Sequence, residues 1–193
     1  MTYILNNLKF TIIISFVLAV LFIIALSGNS FDKTAFSMWI LRWLHVLSAI
    51  MWVGILYYFN FVQIPNMSRI PDDQKPAISK FIAPSALFWF RWGAVITILT
   101  GLKLAYINGY LFEALTFSNE FWPIGIGMWL GIIMFVNVWA VIWPNQKRAL
   151  GIVEVDAETK AKSAKTAMLF SRTNTLLSIP MLVGMTVAQN SFS

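Results

Sequence analysis

The chain has 193 residues, of which 59% are hydrophobic and only 11% are charged, and its formal net charge is +6. Because a soluble domain carries about 25% charged residues, this composition indicates a membrane protein and makes nucleic-acid binding an unnecessary explanation for the positive charge. The chain has no cysteine and one histidine, which excludes disulfides, thiolate catalysis, iron–sulfur clusters and any site built from two histidines of one chain.

Five apolar stretches are long enough, or nearly so, to cross a hydrocarbon core as helices. Turn residues or prolines follow four of them: Gly28 to Ser30, Pro65, Asn108 with Gly109, and Pro144 with Asn145. We therefore predict an all-α bundle of about five transmembrane helices in a single integral membrane domain, with spans at about residues 10–27, 36–62, 84–107, 122–143 and 168–189.

The first stretch has an alternative interpretation as a cleavable signal peptide, with Lys9 before it and small residues near its end. Its apolar run is longer than the roughly 7–15 residues usual for a signal core, which favours a span. Orientation follows from the basic residues, since cytoplasmic loops are rich in lysine and arginine. If the N-terminus is cytoplasmic, then Lys33, Arg42 and Lys103 face outwards and all other basic residues face inwards.

The last inner loop is predicted to form a helix from Ala157 that leads into the fifth span, where Pro180 should introduce a kink. Small residues predict close helix packing: Gly127 and Gly131 in the fourth helix, residues 93, 97 and 101 in the third, and Gly54 in the second. Packing within the chain and a dimer interface both remain open for these residues.

His45 is the residue best suited to a chemical function, because an ionisable group inside a membrane helix usually faces the bundle interior and often has a function. Its imidazole is suited to ligate a haem iron or to carry a proton, and the alternative is an interfacial histidine bonded to a neighbour. No other metal site is predicted. The candidates for a second haem ligand are the methionines Met51, Met128, Met181 and Met185.

A second polar group is expected nearer the cytoplasmic side. Its proposed anion- or substrate-binding members are Arg91, Asn137, Arg172 and Asn174, since guanidinium groups suit carboxylates and other planar anions. Asn60, Gln63 and Asn145 are predicted to lie at a similar depth in the membrane. The alternative is that the amides bond helix to helix while the arginines extend to lipid headgroups.

Several blocks of the sequence resemble the urate oxidase N-terminal domain family, the membrane domain of bacterial cytochrome c-linked urate hydroxylase. The blocks are residues 42–47, 52–54 and 57–59, then 90–94 and 99–101, then 137–139 and 142–147, and finally 171–175 and 178–181. The block from Trp143 to Lys147, which reads Trp-Pro-Asn-Gln-Lys, is the most specific.

The resemblance implies a multi-pass protein of the bacterial inner membrane and an oxidoreductase activity of the urate hydroxylase type. The motif around His45 is also similar to that of haem-binding membrane protoporphyrinogen oxidases and copper-resistance membrane proteins, so haem b is the expected cofactor. The chain has no Cys-x-x-Cys-His motif, which implies a short form that depends on a separate cytochrome c or another electron acceptor. Thr173 stands where the longer relatives have a histidine, and the alternative is a non-catalytic membrane subunit or binding protein with the family fold.

Overall fold

A computed structural model describes residues 2–27 and 32–187, and within these residues the backbone is helical with no β-strand, which confirms the all-α prediction. The chain divides into two compact units, Met1–Trp39 and Ile40–Ser193. The prediction of a single domain stays a prediction.

The first unit contains a short helix α1 (Thr2–Leu5) and the long apolar helix α2 (Leu8–Ser27). The side-chain oxygen of Asn7 accepts a hydrogen bond from the backbone N–H of Lys9 at 3.0 Å, which satisfies one of the unpaired donors at the start of α2. The first predicted span is therefore helical. The turn predicted from Gly28 to Ser30 lies outside the described residues.

The second unit holds most of the remaining helices and the hydrophobic core. Helix α3 (Lys33–Tyr57) begins in the first unit and continues through a π-helical turn (Tyr58–Gln63) into α4 (Ile64–Asn66). The later elements are α5 (Lys75–Ala77), a π-helical turn (Ile78–Ile82), α6 (Ala83–Ile107), α7 (Leu111–Leu115), α8 (Trp122–Val136), a π-helical turn (Asn137–Ile142), α9 (Trp143–Ala149) and α10 (Ala157–Val187).

Three prolines, Pro65, Pro84 and Pro144, each follow a π-helical turn within a continuous helix. The backbone N–H groups of Ile64, Ala83 and Trp143, each directly before a proline, bond to the carbonyl five residues earlier. A proline normally breaks a helix because it lacks an N–H and its ring meets the carbonyl four residues before it. The wider π-helical turn changes that register, so both helices include their proline. The second ends at Asn66, one residue beyond Pro65, whereas the fourth continues to Ala149, and its predicted end at Pro144 is wrong.

Four helices of the described part of the chain are long and apolar enough to cross a membrane: Leu8–Leu26, Lys33–Asn66, Lys75–Ile107 and Trp122–Ala149. They correspond to the first four predicted spans. The fifth predicted segment lies in α10, which is helical from Ala157 through Pro180 to Val187, as the sequence suggested. This helix has 31 residues, but it is not among the helices that are apolar enough to cross a membrane. The predicted end of the fifth span at Gln189 lies outside the described residues.

Small residues bring α8 and α10 into backbone contact. A Cβ atom built on Gly127 would lie 3.0 Å from the backbone nitrogen of Met185, and one built on Gly184 would lie 2.7 Å from the carbonyl oxygen of Pro123. The close approach predicted for Gly127 is therefore made within the chain. Gly54 is different, because nothing lies within 4 Å of its Cβ position, and the prediction that it marks a close helix contact is wrong.

Candidate functional site

A cavity of about 660 Å³ lies in the second unit among α3, α6, α8 and α10. Its volume falls within the range of about 300–1,000 Å³ typical of small-molecule and cofactor sites. Most of its lining is apolar, and the polar groups that reach it come from a few residues, including Arg42, His45, Trp52 and Tyr110.

His45 is positioned in this cavity by α6. Its Nδ1 lies 2.8 Å from the carbonyl oxygen of Thr97. A carbonyl oxygen only accepts hydrogen bonds, so Nδ1 must carry the proton, and the neutral ring then has its lone pair on Nε2. No hydrogen bond is recorded for Nε2 among the described residues. A histidine that ligates a metal is commonly oriented by such a backbone bond from its other nitrogen.

The small-residue stripe of α6 makes room for this arrangement. The hydroxyl of Thr97 donates to that of Ser48 at 3.0 Å and joins α6 to α3. A Cβ atom on Gly93 would lie 3.3 Å from the backbone nitrogen of Trp52, and one on Gly101 would lie 2.7 Å from Cε1 of His45. The helices are therefore close at Gly93, and the imidazole occupies the space that a side chain at residue 101 would need.

The methionine candidates divide into two groups. Met128, Met181 and Met185 line the cavity together with His45, whereas Met51 is 43% exposed and does not line it. The structure thus brings three of the four predicted thioethers to the histidine's cavity and separates the fourth.

Arg42 and Tyr110 were not predicted as site residues, although both line the cavity. Burial raises the pKa of the Tyr110 phenol, and the positive charge of Arg42 offsets part of that rise. The phenol therefore stays protonated at neutral pH. The spacing of Arg42, three residues before His45 on one helix, was the signal that could have identified it, because such residues share a face. Tyr110 lies in a loop, and no sequence pattern points to it.

Trp52 lines the cavity and carries an unpaired buried donor. Its side chain is 1% exposed, and its Nε1 has no hydrogen-bond acceptor among the described residues. A buried N–H without an acceptor is rare in native structures, because leaving it unpaired costs about 1–3 kcal/mol. The imidazole of His45, whose Nε2 has no hydrogen bond recorded among the described residues, fits a polar or metal-centred ligand in this cavity.

The four residues of the predicted anion site do not form one cluster: the two asparagines contact each other, and the two arginines lie apart from them. Asn137 donates from Nδ2 to Oδ1 of Asn174 at 2.9 Å, and Asn174 donates from its own Nδ2 to the carbonyl of Met134 at 3.0 Å. Asn174 is fully buried, so these bonds hold α10 against α8 and the π-helical turn that follows it (Asn137–Ile142). Arg91 stacks on Trp143, and Arg172 is exposed with no recorded partner in the described part of the chain. No recorded contact joins either arginine to the asparagine pair.

Replacing Asn174 by alanine is expected to destabilise the protein by about 1–2 kcal/mol, because the Asn137 amide and the Met134 carbonyl would each lose a buried partner. Thermal unfolding in detergent would measure the loss. Asn145→Ala is the matched control, since the one hydrogen bond recorded for the Asn145 side chain among the described residues joins it to Val141 in its own helix turn. Equal melting temperatures for the two variants would show that the buried pair contributes nothing beyond a local bond.

The fold and cavity together define an all-α helical protein with membrane-spanning potential and a histidine-containing internal site. Residues 110–192 match the family model described as urate oxidase N-terminal. The match agrees with the predicted resemblance over this part of the chain, which includes the blocks around Trp143 and Asn174, whereas the blocks in α3 and α6 lie outside it. Searches of curated proteins and of solved structures returned no significant match.

Proposed function

We propose that this protein is a multi-pass component of the bacterial inner membrane, related to the membrane domain of urate hydroxylase, and that it binds haem b, which His45 would hold. The observation that carries the proposal is the fixed tautomer of His45, whose Nδ1 donates to Thr97 and leaves Nε2 available in a cavity of about 660 Å³. The family match over residues 110–192 supports the link to urate chemistry.

The chain's own residues suit this role. His45 would bind the iron through Nε2, and Met128, Met181 and Met185 are the thioethers available around it. Arg42 supplies a positive charge for the carboxylates of the cofactor, and the apolar lining excludes water from the remainder of the site. A bound haem would supply one-electron transfer. Oxidation of urate releases two electrons, which a separate acceptor such as a cytochrome c would have to take.

The first test is an absorption spectrum of the detergent-purified protein. We expect a Soret band in the wild type and its loss or displacement in His45→Ala, because the variant has no imidazole to ligate the iron. Met51→Ala is a suitable control on the same helix, since Met51 does not line the cavity. A wild-type Soret band that His45→Ala leaves unchanged would refute His45 as the ligand, and a wild type that neither contains nor takes up haem would refute the cofactor.

The alternative is a non-catalytic membrane subunit or binding protein. The observation that favours it is the hydrogen bond from Asn137 to Asn174, because it uses both amides to join helices. Urate-dependent reduction of added cytochrome c separates the two functions. Reduction that requires both urate and the protein supports the oxidoreductase, and its absence in a haem-loaded sample supports the subunit.

A further inference from the structure

Arg91 lies in an aromatic environment in a part of α6 that was predicted to lie nearer the cytoplasmic side. Its guanidinium carbon is 3.3 Å from the ring centroid of Trp143 and 6.0 Å from that of Trp139. A planar guanidinium stacks well on an indole face, and this contact holds the side chain in a defined position. The stack covers one face of the guanidinium, whereas the N–H donors lie along its edge.

Three buried donors in this cluster have no acceptor in the described part of the chain. They are Nε and Nη1 of Arg91 and Nε1 of Trp139. An unpaired buried donor costs about 1–3 kcal/mol, and more when the group is charged, so several together at one place indicate that an acceptor from outside the chain completes them.

The local charge indicates that the acceptor is an anion. Lys147 places its Nζ 5.7 Å from the centroid of the same Trp143 ring, so two cations share one indole. The one ion pair recorded among residues 2–27 and 32–187 joins Lys75 to Asp72, and no carboxylate is therefore paired with either Arg91 or Lys147. An oxyanion that accepts from the unpaired N–H groups would be stabilised by the positive charge of both residues.

An aromatic surface continues outward from this cluster. Trp92 packs edge-on against Trp139 with centroids 6.0 Å apart, and Phe88 lies 6.4 Å from Trp92. Phe88 and Trp92 are about half exposed, and Phe88 also lines a shallow groove with Pro84, Ser85 and Trp89. A cationic pocket beside exposed apolar surface matches a molecule with a charged head and an apolar tail.

We propose that Arg91, Lys147 and the Trp139 N–H bind the phosphate of an anionic phospholipid headgroup, with an acyl chain lying along Phe88 and Trp92. Basic pockets between membrane helices on the cytoplasmic side bind anionic headgroups by the same chemistry. The site is separate from the His45 cavity, and it does not depend on haem binding.

Native mass spectrometry of the full chain in mild detergent tests the proposal, with dioleoylphosphatidylglycerol or dioleoylphosphatidylcholine added. We expect the wild type to bind the phosphatidylglycerol selectively. Arg91→Gln should weaken that binding about tenfold, which corresponds to the loss of a charge-assisted hydrogen bond. Trp139→Phe keeps an aromatic ring and removes only the N–H, so it should fold normally and weaken binding by about threefold.

Arg172→Gln is the matched control, because Arg172 is an exposed arginine on the same predicted side and has no recorded contact with the cluster. It should bind the phosphatidylglycerol as the wild type does. The proposal fails if Arg91→Gln and Trp139→Phe retain wild-type binding, or if Arg172→Gln loses as much as Arg91→Gln. It also fails if inorganic phosphate alone raises the wild-type melting temperature as much as the lipid does, since the ligand would then be a free anion.

Discussion

Replacement of Gly101 by alanine is expected to displace the His45 imidazole and to weaken ligand binding that depends on it. The new methyl group would lie 2.7 Å from Cε1 and 2.9 Å from Nδ1 of the ring, closer than a Cβ atom approaches other heavy atoms in real structures. His45 would have to rotate away and would lose its bond to the Thr97 carbonyl, which sets the proton on Nδ1. Haem titration followed by the Soret band measures the effect directly. We expect haem affinity to fall by at least roughly tenfold, because removing the hydrogen-bond partner of a metal-ligating histidine typically weakens metal binding by about that much.

Gly54→Ala is the control for this substitution, because Gly54 lines the same cavity but has no atom within 4 Å of its Cβ position. It adds the same methyl group without contact with His45. Equal haem affinity for Gly101→Ala and Gly54→Ala would contradict the assignment of the glycine as the space for the imidazole. The comparison also separates a specific effect on His45 from a general effect of lost glycine flexibility.

Replacement of Gly184 by alanine is expected to cause a large loss of stability. Its Cβ atom would meet backbone atoms of α8, with the Pro123 oxygen at 2.7 Å and the Gly127 nitrogen at 2.8 Å. Backbone atoms cannot rotate away as a flexible side chain can, so α8 and α10 would have to separate. Overpacking of this kind costs about 1–3 kcal/mol. For a chain of this length we expect the melting temperature in detergent to fall by about 5–10 °C.

Gly131→Ala tests the same helix pair with a milder contact, since the nearest atom to its Cβ position is the Met181 sulfur at 3.6 Å. That distance is ordinary van der Waals contact, and a thioether adapts easily. We expect its melting temperature to stay within about 2 °C of the wild type, as for a substitution that causes no overpacking. If its melting temperature fell as far as that of Gly184→Ala, any added volume between α8 and α10 would be enough to separate the two helices.

The histidine site was partly predictable from the sequence. An ionisable residue in an apolar helix must face the interior or incur a high solvation cost, and this argument by itself singles out His45. Thr97 and Gly101 were predicted only as part of a small-residue stripe, because a stripe indicates that some helix approaches but does not identify the partner. Their roles, one as the acceptor for Nδ1 and one as the space for the ring, depend on how α3 and α6 are rotated against each other.

Similar depth in the predicted membrane spans was not enough to predict which residues form the anion site. Arg91, Asn137, Arg172 and Asn174 were grouped because they lie at similar depths in three helices. Contact also requires the side chains to point towards one another, and that direction depends on helix rotation. In the structure the asparagines bond to each other while Arg172 is exposed. The unpaired donors of Arg91 and Trp139 had no sequence signal, because hydrogen-bond satisfaction is a property of packed neighbours.

The sequence by itself determined the all-α class, the positions of the long apolar helices and the special status of His45. These follow from composition and from the cost of placing polar groups among apolar ones, which act locally along the chain. Only the tertiary structure decided that the helices continue through Pro65 and Pro144, that Gly184 contacts the α8 backbone and that Arg91 stacks on Trp143. Each of these depends on hydrogen-bond register or on the rotation of one helix against another, which residues distant in the sequence set jointly.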